Sequence, residues 1–188
     1  MPRNQFQRMI FALLSVFFTV HGYIFYSLYI VNGNALMQTA GTDSVIAAIN
    51  QNGGIYMLGY FLPIWAVVLV EFCLAYLLEN VMGMPGSFKL ACKVFNPKET
   101  HPFLFETAVI CATAMLMCPA MSLIAAFLYY PYYAGFNIFT LAANWIKLIC
   151  LNFPFALLSQ VFFIQPLVRT LFKFLFCRDI DNLSAQSA

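Results

Sequence analysis

The sequence predicts an all-α integral membrane protein with four transmembrane helices. These form two two-helix repeats of parallel orientation, residues 1–98 and 99–188, with short interfacial amphipathic helices after helices 2 and 4. Three observations carry that expectation. Of 188 residues, 63% are hydrophobic and 9% charged, and the mean hydropathy is +0.83, which leaves too little polar surface for an ordinary soluble domain. Four apolar stretches each exceed the roughly 20 residues that cross a hydrocarbon core of about 30 Å at about 1.5 Å of helical rise per residue. Lysine and arginine fall almost entirely in alternate connections.

The first span, 9–31, follows Arg3 and Arg8 as a signal peptide would, but it is longer and more aromatic than a signal core, so it reads as a mature helix. Asn-Gly-Asn opens the connection 32–54 and Asn-Gly-Gly closes it. Between these breakers a short helix is expected over 44–49, with Thr42 or Asp43 as its cap, either as a lid or within a mobile connector. The second span is 55–81, the third 103–130 and the fourth 136–165. Pro63, Pro119 and Pro154 interrupt the last three and leave the carbonyls of Gly59, Met115 and Cys150 without their helical donors. Proline also follows spans two and four, as Pro85 and Pro166. Beyond it lie Lys89 and Lys93 beside Phe88 and Phe95, and Arg169 and Lys173 beside Phe172, Phe174 and Phe176, the pattern of helices resting on an anionic leaflet.

The third span presents Ala114, Cys118, Ser122 and Ala126 at every fourth position, an edge for close helix approach within the bundle or between subunits. Tyr129, Tyr130, Tyr132 and Tyr133 surround Pro131 at its end. They fit an aromatic belt at the membrane interface better than a cage for a cation. Arg3 and Arg8, then Lys89, Lys93 and Lys98, then Arg169, Lys173 and Arg178 place both termini and the middle connection in the cytoplasm, and the two remaining loops outside. The six cysteines lie in spans or basic segments, so free thiols are expected.

The halves repeat. Displaced by 100 residues, Ala112, Ile124, Leu128 and Tyr129 fall on Ala12, Ile24, Leu28 and Tyr29; displaced by 80, Trp145, Leu158, Val161, Arg169 and Lys173 fall on Trp65, Leu78, Val81, Lys89 and Lys93. Two spans per unit return the chain to its starting side, so a pseudo-twofold axis along the membrane normal would leave a central seam.

The run Asn144-Trp145-Ile146-Lys147, then Asn152-Phe153-Pro154-Phe155-Ala156, then Gln165-Pro166-Leu167-Val168-Arg169, resembles the second-helix signature of the bacterial membrane family filed as domain of unknown function 2798. Its unit is a helix pair, present here twice. The first copy departs from it, with Phe72-Cys73-Leu74-Ala75 at the phenylalanine-proline step and Glu71 where the second copy has Leu151. The resemblance implies a small bacterial inner (plasma) membrane protein, multi-pass, and supplies no activity.

Lys147 and Glu71 interrupt apolar spans, where an isolated charge costs about 2.5–3.5 kcal/mol. The repeat alignment puts them at similar depth, so an ion pair across the seam between spans two and four is expected; a Glu71 held neutral by burial would instead bind a proton. Asn144 and Asn152 share an arc with Lys147 and Ser159. Ser15, Thr19, Gly22 and Tyr26 form a stripe on span one, from which His21 points away. Glu79 and Glu106 read as interfacial. Glu71, Lys147, Asn152, Asn144, Trp65, Trp145 and His21 form the candidate substrate or proton site.

Phosphate loops, paired zinc ligands, serine elbows, cysteine-histidine arrangements and a heme-type histidine pair are all absent, so no enzyme chemistry, catalytic residue, metal or cofactor is expected. The small, dispersed net charge of +2 argues against a nucleic-acid partner. The expected function is binding or transport of an apolar or cationic small molecule through the seam, with proton coupling at Glu71, by a homodimer among membrane lipid. A membrane glutamate in a short four-helix chain is similar to small multidrug exporters in that respect. The alternative is a non-transporting scaffold or regulatory accessory subunit whose basic segments engage lipid or a partner.

Overall fold

A computed structural model describes the backbone of residues 5–186 and the side chains of residues 5–176. Arg3 and the side chains of Cys177 and Arg178, used above for orientation and thiol state, lie outside the described residues. The chain is about 83% helical, and four helices are long and apolar enough to span a membrane: Gln5–Val31, Ile64–Val94, Pro102–Leu128 and Ile138–Phe176.

The first of these is α1, Gln5–Phe25, which ends in a π-helical turn at Tyr26–Val31. Two short helices follow, α2 at Gly33–Ala40 and α3 at Val45–Gln51. The expected helix at 44–49 is α3, but Ser44 occupies the cap position and makes no side-chain capping bond; α2 is an addition to the expected connection.

The second span begins later than the sequence suggests. Residues 55–62 form a hairpin of two short antiparallel strands, β1 at Ile55–Met57 and β2 at Tyr60–Leu62. The intervening Leu58 and Gly59 both take positive φ, at 51° and 89°, as a tight type I′ turn demands. The turn is anchored where the Leu58 N–H donates to the Leu128 carbonyl at 2.7 Å. Pro63 therefore opens a helix instead of interrupting one. It sits in extended conformation ahead of α4, Ile64–Leu78, where a missing N–H does no harm.

Helices 2 and 4 do not stop at Pro85 and Pro166. α4 passes through a π-helical turn at Glu79–Gly83 into α5, Met84–Val94; α7, Ile138–Ser159, passes through Gln160–Ile164 into α8, Gln165–Gln186. Each proline lacks the N–H for the carbonyl four residues earlier, Val81 or Phe162, and its ring crowds that carbonyl; a widened turn relieves the crowding. In lipid, a bulged but continuous helix keeps its remaining backbone groups satisfied. The expected separate amphipathic helices are thus extensions of the spans.

α6 is Pro102–Leu128, with Pro102 in its first turn and His101 Nδ1 accepting from the Phe103 N–H at 3.3 Å. Its turn into α7 is organised by Tyr130, which is 2% exposed. The Tyr130 hydroxyl accepts from the Asn137 N–H at 2.7 Å and lies 3.2 Å from the Gly135 carbonyl, to which it donates. Tyr130→Phe is expected to cost about 2 kcal/mol by stranding that N–H, seen as a lower melting temperature in detergent; an unchanged melt would show that water serves the corner instead.

Neighbouring helices form a ring in which packing partners change along the bundle axis. α4 packs on α1 and α7 on α6; past the π turns, α5 packs on α6 and α8 on α1. Val16 and Val20 meet Ala75 at the first contact, and Ala126, Tyr130 and Leu141 meet at the second. Ala114, Cys118, Ser122 and Ala126 are all buried, so the small-residue edge is used within the chain.

Candidate functional site

A cavity of about 1580 Å³ runs along the bundle. At one end it is bounded by Asn52, Tyr56 and Phe61 of the loop and hairpin with Tyr133, whose ring meets Tyr56 edge-on at 5.6 Å. At the other it reaches the basic residues Arg8, Lys89, Arg169 and Lys173. α1 contributes Ser15, Thr19 and Tyr23, successive fourth residues on one face, and Ser27 of the π turn continues that line. The polar stripe of span one therefore runs through Tyr23 and Ser27, whereas Gly22 and Tyr26 lie beside it.

Of the candidate residues, Glu71, Lys147, Asn144 and Asn152 line this cavity. Glu71 lies about 10 Å along α4 from Ile64 and Lys147 about 14 Å along α7 from Ile138, so both occupy the hairpin half. The other three do not contribute. Trp65 is 72% exposed and points outward; His21 is exposed, with Nδ1 2.8 Å from the Phe17 carbonyl and its ring on Phe17; Trp145 turns toward α6 and donates from Nε1 to the Pro119 carbonyl at 2.9 Å.

The expected ion pair between Glu71 and Lys147 does not form. Tyr129, at the end of α6, donates its hydroxyl to Glu71 Oε1, and Lys147 has no ion-pair partner among the described residues. A phenol reaches a carboxylate in apolar surroundings without a second desolvated charge, which removes the main cost of an intramembrane pair. The sequence groups Tyr129 with the interfacial belt beside Tyr130, Tyr132 and Tyr133, and its repeat match to Tyr29 does not point to Glu71.

Deeper in the bundle the polar groups form short chains. The Tyr23 and Tyr26 hydroxyls donate to the carbonyls of Asn152 at 3.4 Å and Leu151 at 3.0 Å, just ahead of Pro154. Side chains thus serve the Leu151, Asn152 and Pro119 carbonyls, not those of Cys150 and Met115 singled out from the sequence. The Gln160 carboxamide donates to Thr19 Oγ1 at 2.8 Å and accepts from Gln165 at 3.4 Å. Both glutamines line the cavity, as do Glu79 and Asn80 of the other π turn, so Glu79 faces the cavity and not, as the sequence suggests, the interface. At the basic end Arg169 pairs with Glu106 at 2.5 Å.

No group of three or more potential ligands that could hold a metal occurs among the described residues. Cys73, Cys92, Cys111, Cys118 and Cys150 are free thiols. No family model, curated protein or solved structure matches the chain.

Proposed function

We propose that this chain is a small bacterial inner-membrane protein that binds or transports an apolar or cationic small molecule within the seam between two parallel two-helix repeats. The observation that carries this reading is the cavity of about 1580 Å³ with, on its walls, the Glu71 carboxylate, two asparagine amides and Lys147, which has no ion-pair partner among the described residues. Glu71 is the coupling group. Protonated, it carries no charge to draw a cation in; ionised and held by Tyr129, it attracts one, so the arrival of a cationic ligand and the departure of the proton exchange one charge for another. Lys147, on the facing wall, disfavours a second cation while the first is bound.

The repeat reading draws support from the partner switch. In each half the second helix packs on its own hairpin partner at one end and on the first helix of the other half at the other end, with a π turn and a proline at each changeover. A twofold axis along the membrane normal generates that pattern, and inversion does not. Arg8, Lys89, Lys93, Lys98, Arg169 and Lys173 share one end, which under the positive-inside effect is the cytoplasmic one and holds both termini. The seam lies within one chain, so a homodimer is not required to enclose it and would use a face other than the small-residue edge of α6.

The test is flux in proteoliposomes under an imposed pH gradient, with ethidium as a hydrophobic cation and a trapped dye reporting internal pH. The wild type is expected to move protons in response to ethidium, and Glu71→Gln to abolish that response. Ethidium-driven proton movement that survives in Glu71→Gln removes the carboxylate from the mechanism. A wild type without flux favours the non-transporting scaffold.

A further inference from the structure

The ligand site above occupies the hairpin half of the cavity; the opposite end is built differently. Arg8 of α1, Lys89 of α5 and Arg169 and Lys173 of α8 all line the cavity at that end, from three helices. Glu106 neutralises Arg169. Arg8, Lys89 and Lys173 have no ion-pair partner among the described residues, and all three are exposed. Glu79, also in this half, lies about 15 Å along the helix from Lys89, inside the bundle, and Glu99, exposed in the connection between α5 and α6, does not line the cavity. The wall beside the cations is aromatic: Phe11 of α1 meets Phe172 of α8 edge-on at 5.6 Å, and both line the cavity. Lys93, equally basic and on the same helix as Lys89, does not.

Three cations with no ion-pair partner among the described residues, at the mouth of an apolar-walled cleft, complement one kind of occupant, a fixed negative charge joined to an apolar body. A free inorganic anion answers the cations and leaves the Phe11–Phe172 wall wetted, whereas an uncharged hydrocarbon does the reverse. We propose that this mouth is a binding site for an anionic phospholipid of the adjacent leaflet. Its phosphate headgroup is held by Arg8, Lys89 and Lys173, and an acyl chain lies along the Phe11–Phe172 wall. The site rests on the orientation argued above, since the positive-inside end faces an anionic leaflet, and does not depend on Glu71 as the coupling group.

Purified protein in neutral detergent is titrated with phosphatidylglycerol, phosphatidylcholine and inorganic phosphate, and binding is read by native mass spectrometry and by thermal shift. Phosphatidylglycerol is expected to bind and stabilise, and the other two to do neither. At about fivefold per cation, the triple variant Arg8→Gln, Lys89→Gln, Lys173→Gln should lose roughly a hundredfold in apparent affinity. Removing Lys93 and Lys98 instead, cations of the same end outside the cavity, should change nothing. If the triple variant does not fold, the single variants Lys89→Gln and Lys173→Gln each carry a fivefold expectation. An equal loss on removing Lys93 and Lys98 would reduce the effect to diffuse surface attraction and overturn the site. Phosphatidylcholine binding as tightly would overturn headgroup recognition, and inorganic phosphate binding as tightly would overturn the lipid. Glu71→Gln should bind phosphatidylglycerol like the wild type, so failure of the flux experiment and failure of this one are separable.

Discussion

Gly54→Ala is expected to destabilise the protein by about 3 kcal/mol or more and to release the hairpin from the end of the bundle. Gly54 has φ of 144°, a conformation that L side chains rarely adopt, and a β-carbon there would lie 2.0 Å from the carbonyl oxygen of Leu62 and 3.0 Å from the nitrogen of Pro63. Both are backbone atoms at the start of α4, so relief requires the 54–63 backbone to separate. That separation breaks the pairing of Ile55 with Leu62 and loosens the Leu58 bond to the Leu128 carbonyl. Gly41 is the control: its φ of 65° is also positive, yet nothing lies within 4 Å of the position a β-carbon would take, so Gly41→Ala should cost only about 1 kcal/mol. The measurement is a melt in detergent with amide exchange at Leu58, whose protection should fall in Gly54→Ala and persist in Gly41→Ala. Equal behaviour of the two variants would sink the hairpin geometry. Gly54, Tyr56 and Phe61 also bound the cavity, so releasing the hairpin should open its outer end.

The four spans are legible because a chain in lipid must satisfy its backbone within each segment, and that requirement is written in hydropathy alone. The edges are not. The run Ile55 to Leu62 is apolar throughout, and an apolar run of that length reads equally as strand or helix; Gly54, Gly59 and Pro63 are the available signals, outweighed by hydropathy. Pro85 and Pro166 read as stops because proline ends helices in water, where a broken backbone is solvated. In a bilayer a π turn is the less costly answer. Glu71, Lys147, Asn144 and Asn152 stand out as polar residues in apolar surroundings, and the cavity collects all four. Their mutual pairing depends on the rotation of each helix about its axis, which no pattern within one span fixes. Trp65 and Trp145 illustrate the same limit: the repeat aligns them in register, yet one faces outward and the other α6.

A double-mutant cycle on Glu71 and Tyr129, with Glu71→Gln, should return a coupling of about 1 kcal/mol, the excess of a hydrogen bond to a charged group over one to a neutral amide, whereas the cycle on Glu71 and Lys147 should return a folding term near zero. The contrast follows from what each variant strands. Tyr129→Phe removes the hydroxyl that meets the Glu71 carboxylate and leaves that oxygen in an apolar wall. Glu71→Gln keeps the shape and an accepting oxygen but no charge, so in its background the loss of the phenol strands a neutral group and costs less. Lys147→Met removes a charge that has no ion-pair partner among the described residues and lines open space, so its effect on folding should be the same in the wild-type and Glu71→Gln backgrounds. Ligand binding should behave differently: with ethidium as probe, both Glu71→Gln and Lys147→Met should alter affinity, in opposite directions, because one deletes the attracting charge and the other the repelling one. Folding energies from reversible unfolding in mixed micelles, set beside ethidium affinities for the same variants, separate the two roles. A strong Glu71 to Lys147 folding term would restore the cross-seam ion pair and displace Tyr129 as the residue that holds the carboxylate.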